Sequence, residues 1–62
     1  MNRIKELIDK KGITQKQLAA EIGVTEVTIS RYIHENRMPR QAIVHAMARY
    51  FGVTKEYLLG HE

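Results

Sequence analysis

The feature that most limits how this chain can fold is a short segment, glycine followed by an apolar residue and then threonine, that occurs three times. The three segments are Gly12-Ile13-Thr14, Gly23-Val24-Thr25 and Gly52-Val53-Thr54. Glycine adopts the left-handed backbone that often ends a helix, and the apolar residue after it packs back on the last turn. A threonine hydroxyl can accept a backbone N–H at the start of the next helix. Each segment therefore predicts the end of one helix and the beginning of another.

Apolar residues between these segments recur at helical spacing, as Ile4, Leu7 and Ile8 do before the first one. Gln17, three residues after Thr14, completes a capping-box pattern. No part of the sequence has the pattern of a strand. We expect five helices. The first covers residues 1–11, the second is capped by Thr14 and ended by Gly23, and the third is capped by Thr25 and runs to about His34. The fourth covers about 40–51, and the fifth covers 55–59 and is ended by Gly60. The residues of the fourth helix expected to face inward are Ile43, Ala46, Met47, Tyr50 and Phe51.

A chain of 62 residues has room for one domain, so the five helices must share a single core. The predicted fold is an all-α, compact five-helix bundle in which residues 1–62 form a single domain. The absence of cysteine excludes disulfides and thiolate metal sites and fits a reducing compartment. Because there is no signal-peptide pattern and no run of ~20 apolar residues, we expect a soluble, cytoplasmic protein without a membrane segment.

Residues 14–34 form the most informative part of the pattern. Only residues 21–25 connect the second and third helices, which is too short for the two to run antiparallel at any distance. The pattern predicts a helix-turn-helix, in which Ala19 allows the helices to approach closely and Gly23 supplies a positive φ. The core beneath it is expected to contain Leu18, Ile22, Val24, Ile29 and Tyr32.

The third helix has two different faces when its residues are placed at intervals of about 100°. Ile29 and Tyr32 lie on the side expected to face the core. The opposite side is short and able to form hydrogen bonds, and it contains Val27, Ser30, Arg31 and His34, with Glu26 and Thr28 at its edges. Such a face is suited to contact base edges in the major groove of DNA.

Residues on this face also have ordinary explanations. An exposed valine is common on protein surfaces, yet the methyl groups of Val27 could pack against a thymine methyl. Arg31 is either a solvated arginine or a bidentate donor to guanine O6 and N7, a contact that discriminates by about 1–3 kcal/mol. Glu26 either serves the positive end of the helix dipole or accepts a hydrogen bond from a cytosine amino group.

The chain carries ten Lys and Arg against seven Asp and Glu, a net charge of +3. This balance permits nucleic-acid binding without establishing it, and an ordinarily charged surface explains it equally well. Two groups flank the third helix where phosphates would lie: Gln15 and Lys16 at the start of the second helix, and Asn36, Arg37 and Arg40 after the third. The contribution of these residues to DNA affinity should be sensitive to salt and independent of base sequence.

Residues 12–34, GITQKQLAAEIGVTEVTISRYIH, resemble the helix-turn-helix of the lambda-repressor-like, XRE-type proteins of the Cro family, which occur in bacteria and phages. Residues 52–60, GVTKEYLLG, are similar to the closing segment of that family, so with the first helix the resemblance covers nearly the whole chain. It implies a five-helix bundle that binds operator DNA as a dimer, with Gln15 and Thr25 at phosphates. It also implies that Arg40, where many relatives have a capping serine, contacts the DNA backbone or minor groove.

The helix faces and the resemblance together assign three groups of residues. Base contacts are predicted for Glu26, Val27, Thr28, Ser30 and Arg31. Phosphate contacts are predicted for Gln15, Lys16, Thr25, His34, Asn36, Arg37 and Arg40. With no room for a second domain, a homodimer must form through the bundle itself, and its predicted contacts are Tyr57, Leu58, Leu59 and His61. The apolar residues of this tail are equally well explained as part of the core.

The resulting hypothesis is a sequence-specific, double-stranded DNA-binding transcriptional regulator, a repressor that binds a pseudo-palindromic operator as a dimer. The alternative is an antitoxin-type or accessory module of the same fold that acts mainly through a protein partner. An enzyme is not supported, because there is no readable Ser-His-Asp arrangement, no pair of catalytic carboxylates and no glycine-rich phosphate loop. No cofactor is expected, and no metal site, since His45 and His61 have no metal-binding partner at suitable spacing.

Overall fold

The helices begin and end close to the segments that contain glycine and threonine. The computed structural model describes residues 2–62, and the helices in that range are α1 (Ile4–Lys11), α2 (Gln15–Ile22), α3 (Glu26–His34), α4 (Gln41–Phe51) and α5 (Lys55–Leu58). These residues include no strand. The prediction of an all-α protein with five helices is confirmed.

Some helix boundaries lie slightly inside the predicted ranges. The first helix begins at Ile4, and its predicted start at residue 1 lies outside the described residues. The fourth begins at Gln41, because Arg40 has extended backbone angles and acts as the N-cap without a capping hydrogen bond from its side chain. The fifth ends at Leu58, one residue before the predicted end.

Threonine hydroxyls cap three helix starts as predicted. At α2, the Thr14 hydroxyl accepts the Gln17 N–H at 3.0 Å, and the Gln17 side-chain oxygen accepts the Thr14 N–H at 2.9 Å. This reciprocal pair is a complete capping box. Thr25 and Thr54 accept the N–H groups of the residues three positions later in the same way.

The turn between α2 and α3 depends on the backbone of Gly23. Its φ is +85°, in the left-handed region, and its N–H donates to the Ala19 carbonyl at 2.9 Å. The Val24 N–H donates to the same carbonyl at 3.0 Å, so two donors close the last turn of α2. α1 and α4 also end at a left-handed glycine, whereas α3 ends at Glu35 with a φ of −102°.

Every helix contributes one fully buried side chain to a single core. The five are Ile4, Leu18, Ile29, Met47 and Leu58, one each from α1 to α5. Other buried residues extend the same cluster, and half-buried apolar side chains such as Ile22 and Val24 pack around it. Of the core predicted beneath the helix-turn-helix, Leu18, Ile29 and Tyr32 are buried, whereas Ile22 and Val24 lie half-buried at its edge.

The prediction for the inward face of α4 was only partly correct. The structure buries Val44, Met47 and Ala48, whereas Ile43, Ala46, Tyr50 and Phe51 are half-buried. Eight of the eleven residues of this helix are apolar or aromatic, so periodicity alone favours two overlapping faces. The rings of Tyr50 and Phe51 pack edge to face at the margin, with their centroids 5.2 Å apart.

Replacing Gly23 by alanine should lower the free energy of unfolding by about 1–2 kcal/mol, because an L-residue is strained in the left-handed region. A Cβ at this position would meet no atom within 4 Å, so the cost is conformational and not a clash. Thermal unfolding followed by circular dichroism should show a melting temperature lower by about 4–8 °C per kcal/mol. The control Gly23→Asn should lose less of the free energy of unfolding, since asparagine tolerates the left-handed backbone. Equal melting temperatures for the alanine variant and the parent would contradict this account.

Candidate nucleic-acid interface

Packing against α2 holds α3 in place. Among the pairs of helices, α2 and α3 share the most extensive contact. Ala19 of α2 is buried and small, so the two helices can approach closely. Ile29 and Tyr32 hold α3 from below, with exposed fractions of 0% and 7%. The outward face of α3 therefore lies on a helix whose position is fixed by packing.

The side of α3 opposite this packing is open to solvent. Glu26, Val27, Arg31 and His34 are exposed, and Ser30 is half-buried. Val27 is 59% exposed, and Met38 is the one other large apolar side chain in residues 2–62 that is mainly exposed. The prediction of which side chains leave the core is confirmed, whereas their contacts to bases remain a prediction.

Thr28 lies at the edge of this face and also belongs to the cap of α3. Its N–H donates to the Thr25 hydroxyl at 3.2 Å, and the two hydroxyl oxygens are 2.9 Å apart. Its side chain is half-buried. A base contact from Thr28 would have to share this hydroxyl with the cap, because the Thr28 side chain also takes part in closing the start of α3.

Three arginines surround one cleft beside α3. The cleft has a volume of about 240 Å³ and is lined by Thr28, Arg31, Tyr32, Arg37, Met38 and Arg40. Arg37 pairs with Glu35 at 3.2 Å, but both side chains are more than half exposed. Among the described residues, Arg31 and Arg40 form no ion pair. Positive charge is thus concentrated where α3 meets the following loop.

The loop between α3 and α4 reverses direction at Asn36. This residue has a φ of +51°, the one positive value among the described residues other than glycine. Asparagine adopts this conformation more readily than most side chains. The turn brings Arg37 and Arg40, both exposed, to the same cleft as Arg31.

The start of α2 forms the other flank of the candidate interface. The first N–H groups of a helix have no partner within the helix. The Thr14 hydroxyl accepts the backbone N–H of Gln17. The N–H groups of Gln15 and Lys16 are therefore available for an anion. The side chain of Lys16 is exposed and that of Gln15 is half-buried.

The tail predicted to form dimer contacts is divided between the core and the surface. Leu58 is fully buried in the chain's own core, so its side chain is not available to a second copy. Tyr57 packs toward α1, where the Arg3 guanidinium lies 4.4 Å from its ring centroid and its hydroxyl donates to Glu6 at 3.2 Å. Leu59 is half-buried and His61 exposed.

Sequence reasoning missed Asn2, which links α1 to the end of α3. Its side-chain oxygen accepts the Ile4 N–H at 3.1 Å, and its amide nitrogen donates to the Tyr32 carbonyl at 2.8 Å. An asparagine just before a helix is a known capping signal and could have indicated the first bond. No local pattern indicates the second, since the two residues are 30 positions apart.

Helices able to cross a membrane and clusters able to bind a metal are both missing from residues 2–62. None of their helices combines the length and the apolar character that crossing a membrane requires. No group of three His, Asp or Glu side chains in this range is arranged to hold a metal ion.

Comparisons with known proteins agree with this geometry. A family model described as helix-turn-helix matches residues 4–58. The chain is 39% identical, over 46 residues, to the uncharacterized HTH-type transcriptional regulator YvzC of Bacillus subtilis (strain 168); the matched region is 74% of this chain and 60% of that relative. The chain therefore spans less than two thirds of that relative's length. No solved structure gave a significant match. The match over residues 4–58 means that the chain belongs to the helix-turn-helix family, in agreement with its resemblance to lambda-repressor-like, XRE-type proteins.

Proposed function

We propose that the chain is a sequence-specific, double-stranded DNA-binding transcriptional regulator, a repressor whose helix α3 enters the major groove. The observation that carries this proposal is the exposed outer face of α3 next to a cleft lined by three arginines. The helix-turn-helix family match supports DNA binding, and the printed name of the Bacillus subtilis relative supports regulation. Both favour binding over catalysis.

The two flanks of α3 would follow the phosphates on either side of the groove. In helix-turn-helix proteins the first helix of the pair crosses the backbone while the second contacts bases. The available N–H groups at the start of α2, with Gln15 and Lys16, are suited to one strand. Arg37 and Arg40 in the next loop are suited to the other, and they form the sequence-independent part of binding. Thr25, His34 and Asn36 complete the proposed phosphate contacts.

Sequence preference would come from a few exposed side chains of α3. Arg31 has no carboxylate partner among the described residues, so its guanidinium is free to donate two hydrogen bonds to a guanine. Val27 offers methyl groups suited to a thymine methyl, which also explains an apolar side chain on this polar face. Glu26, Thr28 and Ser30 surround these two and complete the proposed set of base contacts.

A surface beside the α3–α4 loop is suited to a second copy of the chain. Met38 is 66% exposed and lies next to the half-buried Leu59 in a shallow groove of about 310 Å³, which Pro39 and Val44 also line. Lys55 and Glu56 lie at the same groove, so a two-fold arrangement could pair opposite charges across it. We propose this surface, with Leu59 and the nearby His61, as the dimer contact. The same surface would serve a protein partner if the chain is an accessory module.

Replacing Arg31 by alanine should remove discrimination at one base pair. The first step is to select bound sequences from a random DNA library with the parent protein, which yields its preferred site. Arg31→Ala should then lose about 1–3 kcal/mol of preference for guanine at one position, because one bidentate contact is removed. Its base preferences at the other positions should stay the same. Binding to a panel of single-base variants measures this. If Arg31→Ala kept the full base preference, α3 would be wrongly oriented in the proposal.

Replacing Arg37 by alanine should weaken binding to all sequences alike. Removal of one phosphate contact should lower the slope of log affinity against log salt by about 1, while base preference stays the same. Titrations at several salt concentrations measure the slope. The matched control is Glu35→Gln, which removes the carboxylate paired with Arg37 and should strengthen binding to every sequence. A base-specific loss in Arg37→Ala would argue against a phosphate contact.

Replacing Leu59 by glutamine should separate dimer formation from DNA contact, because Leu59 lines the proposed dimer groove and not the cleft that the three arginines line. A polar amide buried at the apolar groove should disfavour a dimer, so binding to a site with two half-sites about 34–36 Å apart should lose cooperativity while a single half-site is bound as before. Sedimentation and binding to single and paired half-sites measure this. The control Leu59→Met should retain the dimer. A parent that stays monomeric on paired half-sites would refute the dimer and favour a protein partner.

A further inference from the structure

The C-terminal end of α3 is closed differently from those of α1, α2 and α4. Those three helices end at a left-handed glycine whose N–H bonds back to the last turn. α3 has no such glycine. Its C-cap is Glu35, whose N–H donates to the Arg31 carbonyl at 2.9 Å. The last carbonyls of a helix have no partner within it, so those after Arg31 need a donor from elsewhere.

Asn2, which lies two residues before α1, supplies one such donor. Its side-chain amide donates to the Tyr32 carbonyl at 2.8 Å in a partly buried position. The same nitrogen is 3.5 Å from the side-chain oxygen of Asn36, the residue that reverses the following loop. Its oxygen accepts the Ile4 N–H, which fixes the side chain at the start of α1. One amide thus joins the start of α1, the end of α3 and the beginning of the loop.

We propose that Asn2 is a positioning residue for base recognition: by closing the end of α3, it holds Arg31 and the start of the arginine-containing loop in the geometry that binds DNA. This inference rests on the proposed function of α3. Arg31 directly precedes the residue whose carbonyl Asn2 binds. Without the bond, the last turn of α3 is less ordered in the free protein. Ordering it on binding then costs free energy, which reduces affinity for the preferred site. Arginine contacts to phosphates are less sensitive to such movement, because they depend mainly on charge, whereas a bidentate contact to a base requires one geometry.

A substitution to serine separates this role from simple capping of α1. The hydroxyl in Asn2→Ser can still accept the Ile4 N–H, as serine commonly does two residues before a backbone donor. It is too short to reach the Tyr32 carbonyl, and it leaves the net charge unchanged. The matched control is Ile8→Val, which removes one buried methyl group from the same helix without touching the bond to α3.

The first measurement is amide hydrogen exchange of the free protein by NMR, which needs no DNA. In Asn2→Ser, amides in the last turn of α3 and at Glu35 should exchange about two- to tenfold faster relative to those of α2, the range expected for one hydrogen bond. Ile8→Val should accelerate both helices by the same factor. Equal acceleration of α3 and α2 in Asn2→Ser would overturn the proposed closure of α3.

The second measurement is the ratio of affinity for the selected DNA site to affinity for random duplex. In Asn2→Ser this ratio should fall about two- to tenfold while the salt slope is unchanged, because a hydrogen bond is lost but no phosphate contact is. Ile8→Val should leave the ratio unchanged. A ratio that falls no further than in Ile8→Val would overturn the role in recognition. A parent protein with no base preference would refute the proposed function as well, and hydrogen exchange alone would then decide whether Asn2 closes α3.

Discussion

The position of α3 depends on one small core that every helix helps to build. Each of the five helices contributes a single fully buried side chain, and these are Ile4, Leu18, Ile29, Met47 and Leu58. Because protein interiors are closely packed, these side chains constrain one another, and the loss of any one helix would expose the rest. None of the residues that we propose to contact DNA belongs to this set. The outer face of α3 can therefore differ in sequence without changing the packing that orients it.

The helix ends and the two faces of α3 could be predicted because their causes lie within a few residues of one another. A left-handed glycine closes the turn before it, and the capping box at Thr14 involves only residues three positions apart. The faces of α3 were clear because Ile29 and Tyr32 are separated from Val27 and Arg31 by the helical period. Local chemistry of this kind needs no knowledge of the rest of the fold.

The features that could not be predicted depend on contacts between distant parts of the chain. α4 is apolar around most of its circumference, so the choice of Val44 and Ala48 as its buried side depends on the space that the other helices leave. Leu58 and Leu59 are adjacent and chemically identical, yet only the first is fully buried. The bond from Asn2 to the end of α3 spans 30 positions and has no local signal.

The lengths of the connections between helices determine which parts of the molecule can deform. Three of them, 12–14, 23–25 and 52–54, contain three residues each, whereas 35–40 contains six and includes Arg37 and Arg40. A longer connection leaves more backbone angles between its two helices, whereas α3 is fixed by the buried side chains of Ile29 and Tyr32. The spacing of phosphates varies with groove width and with bending of the duplex. The proposed phosphate contacts of 35–40 would thus adjust to duplexes of different local shape while the reading surface of α3 keeps one geometry.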